Sequence, residues 1–209
     1  WVQDFYTILA LRNFGEAAKI TAGQTTTPCQ YYPTCAPAGA GMALRRDAFA
    51  RYWHAVGHDE ARLALGRTGQ SLVSGEDNDI VLTLLNQGWA VGYLPQLQLT
   101  HLISANRLTP DYLARLNFAA CQSWVQVLNV HGIRLWPAIP RWSLQLRQAK
   151  AWLRLRPWQS PSAYIRWQGA CGILAGQASL THPVRRAPLP GGDEVSGNGG
   201  ESYLTSHFP

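Results

Sequence analysis

Apolar residues recur at helical spacing in several stretches of the chain. Ala48, Phe49, Tyr52 and Trp53 predict a helix from Arg46 to Val56. Ile80, Val81, Leu84 and Leu85 predict another, opening after Ser74 and ending near Gly88. Ser74 lies three residues before Asp77, a capping-box spacing with Asp in place of the usual Glu or Gln. Thr109, Pro110 and Asp111 combine an N-cap residue, a first-turn proline and an acid suited to the helix dipole. They predict a helix running to about Val130.

Over residues 141–156, Trp142, Leu146, Ala149 and Leu153 share one helical face, while Arg147, Lys150 and Arg154 line another. Ser160 and Pro161 start a last helix to about Ala178. Residues 1–20 read as helix on Ile8, Leu9, Leu11 and Ala17. Ala40 to Leu44, Trp89 to Leu94 and Leu97 to Ile103 read as short strands, the last two split by Pro95. Residues 21–38 and 57–69 read as mainly loop, and the Pro-, Gly- and Ser-rich stretch from Thr181 as a disordered tail.

With 209 residues, 46% hydrophobic and 14% charged, the chain can bury a real core, and wholesale disorder, collagen and coiled coil are excluded. The longest charge-free candidate for a membrane span, Leu116 to Ile133, holds too many polar residues for hydrocarbon. The N-terminus lacks the pattern of a signal peptide. The first residue is Trp1 and the only methionine is Met42, so the expectation is that the natural protein begins upstream. Cys29, Cys35, Cys121 and Cys171 have neither CxxC nor zinc-finger spacing. Reduced thiols are the expectation, although Cys29 and Cys35 share a loop and could bridge in an oxidising compartment.

The net charge of +6 is unevenly placed. Residues 1–111 hold 8 basic and 9 acidic side chains, whereas residues 112–192 hold 10 Lys and Arg, no acid and six of the nine Trp. Arg with Trp suits an anionic lipid surface, where indoles sit at the interface. The same pair suits nucleic acid through phosphate contact and base stacking. The charge pattern points to a polyanion without choosing between these.

The sharpest cluster is Glu76, Asp77 and Asp79, three carboxylates within four residues. They repel one another unless cations or hydrogen-bond donors face them, and a helix N-terminus supplies donors to only some. Capping with a solvated acidic turn, a metal site and a general base all remain open on spacing alone. His101 follows after two strand-like runs, where a structural role and a ligand role are both open.

Four segments then occur in order: Gly39 to Arg46, Gly75 to Ile80, Gly88 to Tyr93 and Leu99 to Ile103, followed by Arg107 to Tyr112. Together they resemble the acceptor-side half of a family 2 glycosyltransferase with the GT-A fold, over residues 38 to about 120. The resemblance implies an α/β architecture, the C-terminal part of a GT-A nucleotide-diphospho-sugar transferase fold with appended amphipathic helices. It makes Asp77 the general base that takes a proton from the acceptor hydroxyl; a helix N-terminus favours the anionic form a base must have. It makes His101 a ligand of Mg2+ or Mn2+ on the donor diphosphate. Glu76 would hold the acceptor, Gly39, Ala40, Gly41 and Met42 would line its pocket, and Arg107 would face the diphosphate.

One departure bears on the reading. The family's Asp-x-Asp metal motif belongs upstream, and Asp4 is the only Asp before Gly39. The expectation is a partial GT-A domain over residues 1–133 without the donor-binding half, a basic Trp-rich helical appendage over 134–180, and the tail over 181–209. The parent would be an inverting, cytoplasmic hexosyltransferase-like enzyme moving a sugar from a nucleoside diphosphate to a hydroxyl on a lipid-linked or glycan acceptor. The fragment alone would be inactive. The appendage would hold the site at the inner face of a membrane with anionic lipid. The alternative is a non-enzymatic polyanion-binding module for nucleic acid or an anionic membrane, which leaves Glu76, Asp77 and His101 unexplained.

Overall fold

Thr109 caps the longest helix, its hydroxyl accepting from the Tyr112 N–H at 3.3 Å, with Pro110 at the first position, where a missing N–H costs nothing. That helix, α4, runs Pro110–Val130. The computed structural model describes residues 1–66 and 72–180. The predicted tail and the end of the 57–69 loop lie outside the described residues.

Ahead of α4 come α1 (Arg46–Val56), the short α2 (Glu60–Leu63) and α3 (Glu76–Asn86); after it come α5 (Leu144–Leu155) and α6 (Pro161–Ser179). The three-residue strands β1 (Lys19–Thr21) and β2 (Val91–Tyr93) pair antiparallel, Ile20 opposite Gly92. The molecule is therefore mixed α/β but mostly helical, 53%, with one small two-stranded sheet among the described residues.

The axis of the fold is α3. Its residues Asp79 to Leu85 are all buried, because neighbours cover it on every side. Ile80 and Leu84 pack with Ala48, Tyr52 and Val56 of α1. Val81 and Leu85 pack with Ala36 and Val91 of β2, and Leu82 with Trp124, Val127 and Leu128 of α4. A separate cluster joins Phe5 and Leu9 to Leu113, Leu116 and Ile165, tying the N-terminal segment to α4 and α6.

The two long helices α4 and α6 approach closely through glycines. A Cβ on Gly172 would stand 2.2 Å from the Phe118 carbonyl oxygen. Asn117, buried between them, donates to the Ile165 carbonyl at 2.9 Å. The basic segment after residue 134 thus includes α6, laid along α4, with α5 packed on α6.

Several local expectations fail for physical reasons. The only helix in residues 1–20 is a turn of 3-10 helix at Val2–Phe5, because Ala10 and Gly15 take positive φ and break any longer one, and Lys19 and Ile20 already belong to β1. Ala40 to Leu44 makes no strand; a 3-10 turn at Gly39–Gly41 leads directly toward α1, and among the described residues no neighbour offers a ladder. Leu97 to Ile103 is also not a strand: Leu97, Leu99 and Leu102 stay exposed, and only Val91–Tyr93 of the preceding run finds a partner. The N-cap of α3 is Gly75, with no side-chain cap bond, so Ser74 does not complete a capping box.

Candidate functional site

The N-terminus of α3 opens onto a cleft of about 450 Å³. Gly39, Ala40, Glu76, Asp77, His101 and Arg107 line it together. These side chains come from three separated stretches of chain: the turn before α1, the first turn of α3, and the loop between β2 and α4. Residues 7–10 and Trp124 form other parts of the wall.

Asp77 is held from two sides. Its Oδ2 accepts the Gly39 N–H at 3.0 Å and its Oδ1 the Asn78 N–H at 3.0 Å. Each oxygen keeps a further lone pair for a third group. Glu76 is exposed at the first position of the helix, where its charge meets the positive end of the dipole. Arg107 lies against Tyr112: its Nε donates to the phenol oxygen at 2.9 Å, and its guanidinium sits 5.5 Å from the ring centroid. His101 belongs to the loop after β2 rather than to a strand end, and its Nδ1 is sealed from solvent with no hydrogen-bond partner.

The remaining two predicted pocket residues lie elsewhere. Met42 turns into the core, against the clusters built on Ile80 and Leu84 and on Val81 and Leu85. A thioether at the turn into α1 is drawn to that apolar gap rather than to a polar cleft. Gly41 faces Leu99, whose Cδ2 would lie 3.0 Å from an added Cβ. Neither lines the cleft.

Behind the cleft lies a polar centre that the acidic spacing alone did not reveal. Asp79 is 0% exposed. Arg62 of α2 binds both of its carboxylate oxygens, through Nε at 3.1 and 3.2 Å and through a terminal nitrogen at 2.9 and 3.0 Å. His131 Nε2 donates to its Oδ1 at 2.7 Å, and the Tyr52 hydroxyl donates to its Oδ2 at 3.2 Å. Burial pushes the Asp79 carboxyl up, but hydrogen bonds from His131 and Arg62, with the Arg62 charge, outweigh it and hold it below the usual carboxylate range. Burial, with Asp79 beside it, pushes the Tyr52 phenol well above its ordinary value.

The network extends outward. Arg62 also reaches the Thr83 hydroxyl, which donates to the Asp79 carbonyl at 2.6 Å. Asn86 uses its Oδ1 to accept the Cys29 N–H at 2.7 Å, which turns its amide nitrogen toward His131 Nδ1, 3.4 Å away. That orientation assigns the Nε2–H tautomer to His131. A signal for this centre does exist in the sequence: Asp79, Thr83 and Asn86 are a polar stripe at i, i+4, i+7, and the residues between them, Ile80 to Leu82 and Leu84 to Leu85, are all apolar.

The four cysteines are free thiols, Cys29 half-buried and the other three buried, so Cys29 and Cys35 are not bridged. No family model matches the chain, and neither a curated protein nor a solved structure matches it.

Proposed function

We infer that the cleft is the acceptor side of an inverting glycosyltransferase site, with Asp77 as general base. The observation that carries this reading is the convergence of Glu76, Asp77, His101 and Arg107 on one cavity although up to 31 positions separate them. A reaction of this class needs a carboxylate facing open space with at least one free lone pair, and Asp77 meets that requirement.

The step balances as follows. The acceptor hydroxyl oxygen forms a bond to the anomeric carbon from the face opposite the leaving group. The bond from that carbon to the diphosphate oxygen breaks, and its electron pair leaves with the diphosphate. The hydroxyl proton passes to Asp77. Gly39 and Asn78 orient the carboxylate through their N–H groups, so the base meets the hydroxyl without first reorganising. Glu76 accepts from a neighbouring acceptor hydroxyl, and Arg107, stacked on Tyr112, presents a fixed cation to phosphate oxygens.

The partnerless His101 Nδ1 suits one position on a divalent cation, Mg2+ or Mn2+. Such an ion would supply charge stabilisation to the departing diphosphate. Among the described residues no group of three His, Cys, Asp or Glu forms a complete set, so the other donors would be diphosphate oxygens and acids from outside the described residues. The resemblance puts those acids, with the donor-binding half, upstream of Gly39 and outside this chain.

The test is nucleoside diphosphate release from a panel of nucleotide sugars, using the complete natural protein that contains this chain and its Asp77→Asn variant. Loss of a general base lowers turnover by about 10²–10⁴-fold. Undiminished turnover in the variant removes Asp77 from the chemistry. Turnover by the 209-residue chain alone overturns the assignment of the donor site to residues outside it.

A further inference from the structure

We propose that α5 is a membrane-surface helix that lays its outer face on an anionic lipid bilayer. The argument begins with which face of the helix is packed. Leu144, Gln148, Ala151 and Leu155 are half-buried, and their 4-3-4 spacing makes them one stripe, turned toward α6. The Trp167 indole of α6 donates to the Gln148 carbonyl at 3.4 Å from that side.

The opposite stripe is the apolar one. At about 100° per residue, Leu146, Ala149 and Leu153 fall on the far side of the helix from the packed face, and Trp142 stands just ahead of them in the 3-10 turn Arg141–Ser143 that leads into α5. Trp142 is 78% exposed, Leu146 69% and Leu153 65%. Beside them Trp152 and Trp158 stand with ring centroids 4.4 Å apart, 42% and 57% exposed. Trp142, Leu146 and Leu153 thus present an outward apolar surface with the Trp152–Trp158 pair at its flank, where a water-facing helix would carry polar residues.

Cations flank this surface along one side. Arg147, Lys150 and Arg154 follow each other at i, i+3, i+7, and Arg141 and Arg156 close the two ends. No Asp or Glu occurs anywhere from residue 112 to 180, so nothing in the sequence of these helices opposes an anionic partner. Charge complementarity thus names the partner as anionic, and the aliphatic centre of the apolar surface narrows it further. Leu146 and Leu153 have no use on a phosphodiester backbone, whereas they reach the acyl boundary beneath lipid headgroups, with indoles at headgroup level and cations above. The helix lies on the bilayer rather than across it: among the described residues no helix is long and apolar enough to span.

The experiment is co-sedimentation of the full 209-residue chain with vesicles of phosphatidylcholine alone and of phosphatidylcholine with phosphatidylglycerol. Wild type partitions onto the anionic vesicles. Replacing Trp142, Leu146 and Leu153 together by Ser weakens partitioning by about tenfold or more. Replacing Arg147, Lys150 and Arg154 together by Gln weakens it by about 100-fold, at roughly fivefold per cation. Both variants change exposed positions, and an unchanged helical circular dichroism spectrum and melting curve checks their fold. Absence of partitioning in wild type overturns the proposal, as does partitioning that survives the Ser substitutions. Preferential binding to a DNA duplex, or a dimer that the Ser substitutions dissociate, overturns it in favour of another occupant. The proposal is independent of the transferase reading: Asp77→Asn leaves vesicle binding at the wild-type level, so each can fail without the other.

Discussion

Asp77 and Asp79 stand two residues apart on α3 and serve opposite sides of it, Asp77 lining the open cleft and Asp79 sealed at 0% exposure against Arg62 and His131. Two helical steps rotate a side chain by about 200°, so neighbouring acids need not share an environment. The repulsion within the cluster is relieved by this division, one carboxylate going to backbone N–H groups and the other to the nearly buried Arg62 guanidinium.

The two aspartates should therefore respond differently to amidation. Asp77→Asn keeps an oxygen to accept from Gly39 and changes stability by about 1 kcal/mol or less. Asp79→Asn leaves the nearly buried Arg62 without its counter-charge and costs about 3–5 kcal/mol. Urea unfolding at neutral pH measures both; equal losses would contradict the division.

Acid should unfold the protein through Asp79. Its carboxyl is held below the usual range in the folded state, so the unfolded chain binds the proton more readily. The stabilisation is complete above the unfolded carboxyl value, about 4, and is lost as pH falls through the lower folded value. Melting temperatures of wild type and Asp79→Asn between pH 6 and pH about 3 test this, since the variant lacks this share of the acid dependence.

Gly172→Ala should destabilise although alanine is the better helix former. The propensity gain is about 1 kcal/mol, but the new Cβ meets a backbone carbonyl oxygen at 2.2 Å, which no side-chain rotation relieves. Separating α4 from α6 to admit it costs about 3 kcal/mol, for a net loss of about 2. Thermal or urea unfolding reads the sign directly.

Thiol labelling should be strongly graded. Burial pushes the Cys121 thiol up to about 12 and that of Cys171 to about 11, so neither presents thiolate near neutral pH. Cys29, half-buried with its thiol donating to the Tyr31 carbonyl at 2.8 Å, is the accessible one. A thiol-reactive reagent at pH 8 should modify Cys29 well before Cys121 and Cys171 in the native protein, and all four in denaturant, with mass spectrometry reporting the sites. Rapid native labelling of Cys121 would contradict the packing of α4.

Much of the helical framework is written locally. Arg46–Val56 forms where the spacing of Ala48, Phe49, Tyr52 and Trp53 predicts it, although only Ala48 and Tyr52 of these are buried, and Pro110–Val130 begins at the Thr109–Pro110–Asp111 signal. Cap chemistry and 3.6-residue periodicity act within a few residues, so they can be read without knowing what packs where. The grouping of Glu76, Asp77, His101 and Arg107 was also expected, through their resemblance to an ordered set of transferase segments rather than through any local pattern.

What the chain could not declare locally is decided by partners distant in sequence. Leu97 to Ile103 has the composition of a strand, yet a strand exists only where another backbone offers its hydrogen bonds, and β2 found β1 about 70 residues away. Asp79 looks like any acid of the cluster until Arg62 and His131 close on it. Most telling is α5, whose apolar stripe periodicity identifies correctly but whose direction it cannot. The fold packs Leu144, Gln148, Ala151 and Leu155 inward and leaves Trp142, Leu146 and Leu153 outside. Amphipathicity specifies which residues share a face; only the tertiary packing of α4, α6 and α5 decides which face meets protein and which remains for something else, because burial is a property of neighbours and not of the helix alone.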